Sequence, residues 1–445
     1  MLENAKRIDN EMLKKFKKDF DKDKLARAMQ NAASSTNLST LAYVPTSKVG
    51  NTHQFSIDIK TMKATNQKSS GRCWIFAATN VLREMVAKKI NSTDFELSQN
   101  YLAFYDKLEK INYALESVID LCDRDHDDRT LAHIIGYPVG DGGQWDMFKS
   151  LVKKYGVVPK NVMDETFSSS NTRDSDMLIN NMIRKFASIA CKLKRENKDE
   201  EIRNLKDKYL EDLYRLLVIS FGKPVEKFDF EYVDKDGKYH LVKNLTPLKF
   251  FEKYIGIDID DYVSLINSPT SDKPFYSTFT VDYVGNVIGG NDIHYLNLPI
   301  EELKEIAIKS LKGGDIVWFG SDCGKFGSRE GGLWDPLQYD YELAYGLDVY
   351  MDKADMLDYR HSAMNHAMVI TGVNLKDNLP TKWKIENSWG TESGIGGYYT
   401  ATDKWFDSFV YQIVVNKKYL TEEELKCLDK KPIHLNPWDP MGTLA

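Results

Sequence analysis

The chain has 445 residues, of which 42% are hydrophobic and 12% aromatic, with a formal net charge of −6. That length exceeds one ordinary domain, and the composition suits a globular protein with a sizeable core. The acidic balance argues against a protein devoted to gripping phosphate backbones, and no run of about 18 apolar residues is present to span a bilayer. The first residues carry charges where a signal peptide needs an apolar stretch. Five cysteines, at 73, 122, 191, 323 and 427, are odd in number and widely spaced with no C-x-x-C. They read as reduced cytosolic thiols rather than a disulfide framework or a zinc site.

Taken in order, residues 8 to 33 alternate charge with Leu13, Phe16, Phe20, Leu25 and Met29, predicting a surface helix with one apolar stripe. A polar stretch follows, with one short strand at Phe55–Ile59. Residues 65 to 86 then pass from the polar loop Thr65–Gly71 into Cys73-Trp74-Ile75 and further apolar residues at helical spacing. A second helical region covers 96 to 121. The acidic run 120–129, with His126 and His133 nearby, has neither an EF-hand pattern nor zinc-motif spacing and reads as a solvated turn. Gly140–Gly143 makes a turn before a helix from about Gln144 to Tyr155.

Between 165 and 270 the character changes. Residues 173 to 220 are charged and helical, and 226 to 243, around Asp236-Gly237, predict a hairpin with a two-residue turn. A helix at 300 to 312 leads to the apolar strand 315–319 and a glycine-dense loop, 320–332. That loop lacks the spacing and the Ser/Thr of a phosphate-binding loop. Strands are expected at 367–374, 381–388, 396–401 and 408–416. The last ten residues, from Asn436 to Ala445, are proline-stiffened around Trp438.

Chemistry concentrates at three places. Cys73 in the first turn of a helix faces unpaired N–H groups and the positive end of the helix dipole, which favour a thiolate. A lone cysteine before an apolar run is ordinarily a small core residue; its company changes the reading. Gln67, six positions upstream, can converge with the Cys73 N–H on a developing oxyanion. His366 opens an apolar strand and can take the thiol proton, and Asn387 can orient its ring. His361, the competing histidine, lies in a polar run and reads as an exposed loop residue.

These stretches resemble the papain-like cysteine peptidases, and within them the cytosolic branch of aminopeptidase C and bleomycin hydrolase. The resemblance rests on Gln67, Gly71-Arg72-Cys73-Trp74, Gly140-Asp141-Gly142-Gly143-Gln144-Trp145, Asn365-His366-Ala367, Asn387-Ser388-Trp389-Gly390 and Pro437–Ala445, in the family's order. It implies an α+β fold: a papain-like two-lobed core, one lobe helical and the other β-barrel-like. Residues 1–164 would be the N-terminal extension and helical lobe, 165–270 an inserted helical and hairpin block for assembly, 271–431 the β-rich lobe, and 432–445 a tail in the cleft. The 72 residues before Cys73 read as part of the folded body, leaving no room for a long inhibitory propeptide.

By the same resemblance the activity is a cytosolic cysteine aminopeptidase that needs no cofactor or metal. It would cleave peptides with a free N-terminus through a thioester, and it would assemble as a homohexamer. Cys73, His366 and Asn387 would be catalytic, Gln67 the oxyanion donor, and Trp389 the shield of the His–Asn hydrogen bond. Asp141, Gly142 and Gly143 would wall the substrate cleft, and the Ala445 carboxylate would face the substrate's ammonium. An endopeptidase of the same family and a nucleic-acid-binding ring are the alternatives; the acidic charge weighs against the second.

Overall fold

The computed structural model of the chain describes every residue except 1, 3 and 330. Its centre is the apolar strand His366–Lys376, which pairs antiparallel with Val317–Ser321 on one side and Leu379–Glu386 on the other. The sheet grown from it has twelve strands. From one edge they run Ile433–Leu435, Thr278–Val281, Tyr295–Asn297, Tyr262–Ile266, Val410–Asn416, Val317–Ser321, His366–Lys376, Leu379–Glu386, Tyr398–Thr402, Leu333–Trp334 and Gly327–Ser328. The twelfth, Ile57–Asp58, joins His366–Lys376 at Gly372 and Val373, beyond where Val317–Ser321 leaves it. Tyr262–Ile266, inside the block read from sequence as an insertion, thus pairs within the main sheet.

The barrel-like expectation is corrected here: the sheet is open. A barrel needs a hydrogen-bonded ladder all the way round. The edge strands Gly327–Ser328 and Ile433–Leu435 have only two and three residues and do not pair with each other.

The central strand reads as a continuous apolar run because both its faces are covered. Ala367 and Val369 face a core shared with the helices Cys73–Ile90, Gln99–Leu121, Trp145–Tyr155 and Arg173–Arg195. Met368 and Ile370, pointing the other way, pack with Leu303 and Ile306 of the helix Ile300–Lys312 and with Trp383 and Trp405. The cysteine helix is buried on nearly all faces, and its Trp74 carbonyl accepts from the Trp318 indole of the sheet (3.2 Å). This two-sided packing sets the first turn of the helix against the first residue of the strand.

Two local expectations change. Residues 8–33 form two helices, Asn10–Lys22 and Lys24–Ala33. Asp23 breaks the run because its carboxylate caps the second helix, accepting from Ala26 N–H at 2.9 Å. The hairpin Phe228–Val233/Tyr239–Leu245 turns over five residues, not two. The Asp234 carboxylate accepts from the Asp236 and Lys238 amides (3.0 and 2.9 Å), and Gly237 takes the left-handed conformation, φ 79°.

Candidate active site

Cys73 is the first residue of its helix, only 3% exposed. The Ala367 N–H donates to its sulfur at 3.4 Å, so the sulfur lies against the residue next to His366. Nearly three hundred positions of chain are bridged by the helix–strand packing just described. His366, 5% exposed, has its Nε2 2.8 Å from Asn387 Oδ1. That oxygen also accepts the Ser388 N–H at 2.7 Å, which fixes the amide's orientation. An amide oxygen only accepts, so His366 Nε2 carries the hydrogen and Nδ1 is left basic. The Trp389 ring stacks on the imidazole, centroids 5.0 Å apart and 27° from parallel. Arg329 lies over the far face of the site, its guanidinium carbon 4.1 Å from the Trp389 centroid. His361 is exposed, in the loop before the strand.

Gln67 is held beside Cys73 by the Asn387 segment. Its N–H donates to the Ser388 carbonyl (2.9 Å), and the Ser388 hydroxyl donates to Gln67 Oε1 (2.6 Å). The carboxamide nitrogen donates to the Ser70 carbonyl at 2.6 Å and retains a second hydrogen. Ser388 is a member of the site that the sequence reading did not single out. It stood next to Asn387, but nothing in a one-dimensional pattern shows that its hydroxyl reaches back to residue 67.

Asp141 spends its carboxylate inside the protein. One oxygen accepts from the Gly71 N–H (2.7 Å) and the Thr172 hydroxyl (2.5 Å); the other pairs with Lys107 Nζ at 2.8 Å. Its backbone carbonyl takes the Trp74 indole N–H at 2.7 Å. These contacts clamp the loop before Cys73 to the helix after it, and Lys107 holds the carboxyl well below the usual carboxylate range despite burial. Lys107, Thr172 and Asp176, the last also paired with Lys107 at 2.5 Å, carried no recognisable sequence signal. Gly142 is required by close approach, since a Cβ there would collide with the Leu444 carbonyl. A Cβ on Gly143 would meet the Trp74 ring in the same way.

A cleft of about 920 Å³ joins these parts, lined among others by Gln67, Cys73, Gly142, Asp176, Trp389 and Ala445. The tail reaches it through the strand Ile433–Leu435, parallel to Thr278–Val281, and a turn at Pro440–Gly442. The Trp438 ring is gripped by the Arg129 guanidinium, 3.9 Å from its centroid, and Thr443 donates to the Met364 carbonyl at 2.8 Å.

Electrostatically the site differs from the expectation that the helix dipole sets the thiol's state. Burial drives the Cys73 thiol up to about 11, against the pull of the Ala367 and Trp74 amides. Burial likewise drives His366 down to about 4; the Asn387 bond opposes this and Arg329 adds to it. Each group resists a charge of its own. A proton passing from sulfur to ring would charge both at once, and opposite charges in contact would offset the desolvation each suffers singly.

A buried thiol, an imidazole oriented by a carboxamide, and a second carboxamide beside the sulfur define the scaffold of a papain-like cysteine peptidase. The family model described as the Peptidase C1-like family matches residues 7–442, and the chain belongs to that family. It is 45% identical over 445 residues to aminopeptidase C of Lactobacillus delbrueckii subsp. lactis, covering 99% of both chains. Aminopeptidase C of Listeria monocytogenes is 43% identical over 435 residues, with 98% of each chain covered. Among solved structures, PepW from Lactobacillus rhamnosis superposes with a TM-score of 0.97 at 46% identity over 99% of both chains.

Proposed function

We propose that the protein is a cysteine aminopeptidase that removes residues from the free N-terminus of peptides. His366 takes the Cys73 proton through Nδ1, and the thiolate attacks the scissile carbonyl. Gln67 and the Cys73 N–H stabilise the oxyanion, a donor worth about 10²–10³ in rate. His366 protonates the departing amine and then activates the water that hydrolyses the thioester. Asn387 holds the ring, and Trp389 keeps water from their bond. No step calls for a metal or cofactor.

The observation that carries the exopeptidase reading is the tail: Ala445, the last residue, lines the same cleft as Cys73. A carboxylate there blocks one end of the cleft and attracts an ammonium, so it selects short N-terminal segments. Relatives named aminopeptidase C, covered over nearly their whole length, support it. The same reading keeps Asp141 and Gly142 as the cleft wall, with Gly143 behind them against Trp74, and narrows the inserted assembly block 165–270 to the part outside the main sheet and the shared core. It expects a cytoplasmic homohexamer, and the exposed apolar stripe of the N-terminal helices supports the assembly.

The test compares free-amine with N-blocked aminoacyl amides, using wild type, Cys73→Ala and a form lacking the last four residues. Wild type hydrolyses only the free amines, Cys73→Ala hydrolyses neither, and the shortened form loses exopeptidase rate and gains N-blocked substrates. Equal cleavage of both substrates by the intact enzyme makes it an endopeptidase.

A further inference from the structure

Away from the cleft, two sulfurs meet. Cys122, the C-terminal cap of the helix Gln99–Leu121, and Cys191, near the end of the helix Arg173–Arg195, lie with Sγ atoms 2.7 Å apart. Both are free thiols; Cys122 is fully buried and Cys191 partly exposed. The peptidase chemistry uses neither.

We propose that Cys122 and Cys191 form an oxidisable dithiol clasp that takes up a peroxide and closes to a disulfide between the two helices. Cys191 is the attacking partner. It is the one solvent reaches, and its contact with Cys122, with Arg195 assisting, lowers its thiol against the effect of burial. Cys122 is fully buried behind it, and the same contact and burial raise its thiol. The thiolate of Cys191 attacks one peroxide oxygen; the O–O bond breaks, and the departing hydroxide takes a proton to become water. The Cys122 sulfur then attacks the sulfenic sulfur, the S–O bond breaks, and the Cys122 proton leaves with the hydroxide as a second water. Two thiols lose two electrons and the peroxide gains them.

The clasp sits where the cleft wall is suspended. From the first helix, Lys110 Nζ donates to the carbonyls of Gly140 (3.3 Å) and Gly142, and Lys107 pairs with Asp141. From the second, Asn180 makes both of its bonds to the Val139 backbone at 2.9 Å, and Asp176 pairs with the same Lys107. A covalent tie between these helices locks the spacing of the wall's two supports.

The experiment treats the full-length protein with hydrogen peroxide, blocks remaining thiols with iodoacetamide and maps peptides without reduction. The expected result is a linked pair of peptides carrying Cys122 and Cys191, abolished by dithiothreitol and absent from Cys191→Ser. In a Cys73→Ala background, oxidation should also raise the unfolding temperature by about 3–6 °C, and reduction should reverse the rise. The proposal is overturned if Cys191 ends as a sulfinic acid while Cys122 is still alkylated. It is equally overturned if both thiols stay alkylated after Cys73 has been fully oxidised. Neither readout depends on peptide hydrolysis, so this inference and the proposed activity stand or fall separately.

Discussion

At the scale of single residues, burial opposes a charge on the Cys73 sulfur alone or on the His366 ring alone. The pH profile follows from that. Below about pH 4 the His366 ring holds a proton and cannot accept the one on Cys73; toward about 11 the thiol ionises without its partner. The expected kcat/KM is therefore level through the neutral range and falls as pH drops through about 4. Steady-state rates on a free-amine aminoacyl amide across pH check this, and an acid limb centred on the ordinary imidazole value would contradict it. Cys73, Gln67, His366 and Asn387 were all legible in the sequence because each stands at a junction of polar loop and apolar run. Ser388 and Lys107 were not: what they do depends on which distant group their side chains reach.

Between elements, one ion pair ties together the segments that carry the site. Arg83, ten residues into the cysteine helix, pairs with Glu386, the residue before Asn387, at 2.7 Å, with both side chains almost wholly buried. Arg83 also donates to the Lys63 and Met62 carbonyls (3.0 and 3.2 Å), and Glu386 accepts from the Thr61 hydroxyl at 2.7 Å. The segment leading to Gln67, the helix of Cys73 and the strand before Asn387 are thus pinned at one point. Arg83→Met leaves a buried carboxylate whose ionisation burial already disfavours. It should cost about 3–5 kcal/mol in denaturant unfolding, and adding Glu386→Leu should recover much of the loss. No recovery would mean that the cost lies in packing around the guanidinium rather than in the orphaned charge. The long helices and the strands around the site were readable from period and breaker residues, whereas short helices such as Arg129–Gly136, Asp403–Phe409 and Glu422–Leu428 were not. The helix break at Asp23 and the five-residue turn at Asp234–Lys238 were not, because a carboxylate bonding to local amides leaves no mark in hydrophobic period.

For the molecule as a whole, the N-terminal helices bury no residue of their own, while Leu13, Phe16, Phe20 and Leu25 stay exposed along them. Such a stripe is the surface that the proposed homo-oligomer would cover. If the proposed hexamer forms through this stripe, Phe16→Asp with Phe20→Asp should shift the sedimentation coefficient toward that of a single chain while leaving the folded core intact. An unchanged assembly would place the contact on another face, such as the inserted block. By itself the sequence determined the kinds and order of the longer elements and the candidate chemical groups of the site, since periodicity and side-chain type are local properties. Only the tertiary structure decided that the sheet stays open, that Ala445 reaches the cleft of Cys73, and that the Cys73 thiol is buried, which raises it. Each of these depends on what surrounds a group in space: water excluded by distant segments, and strand edges left too short to meet.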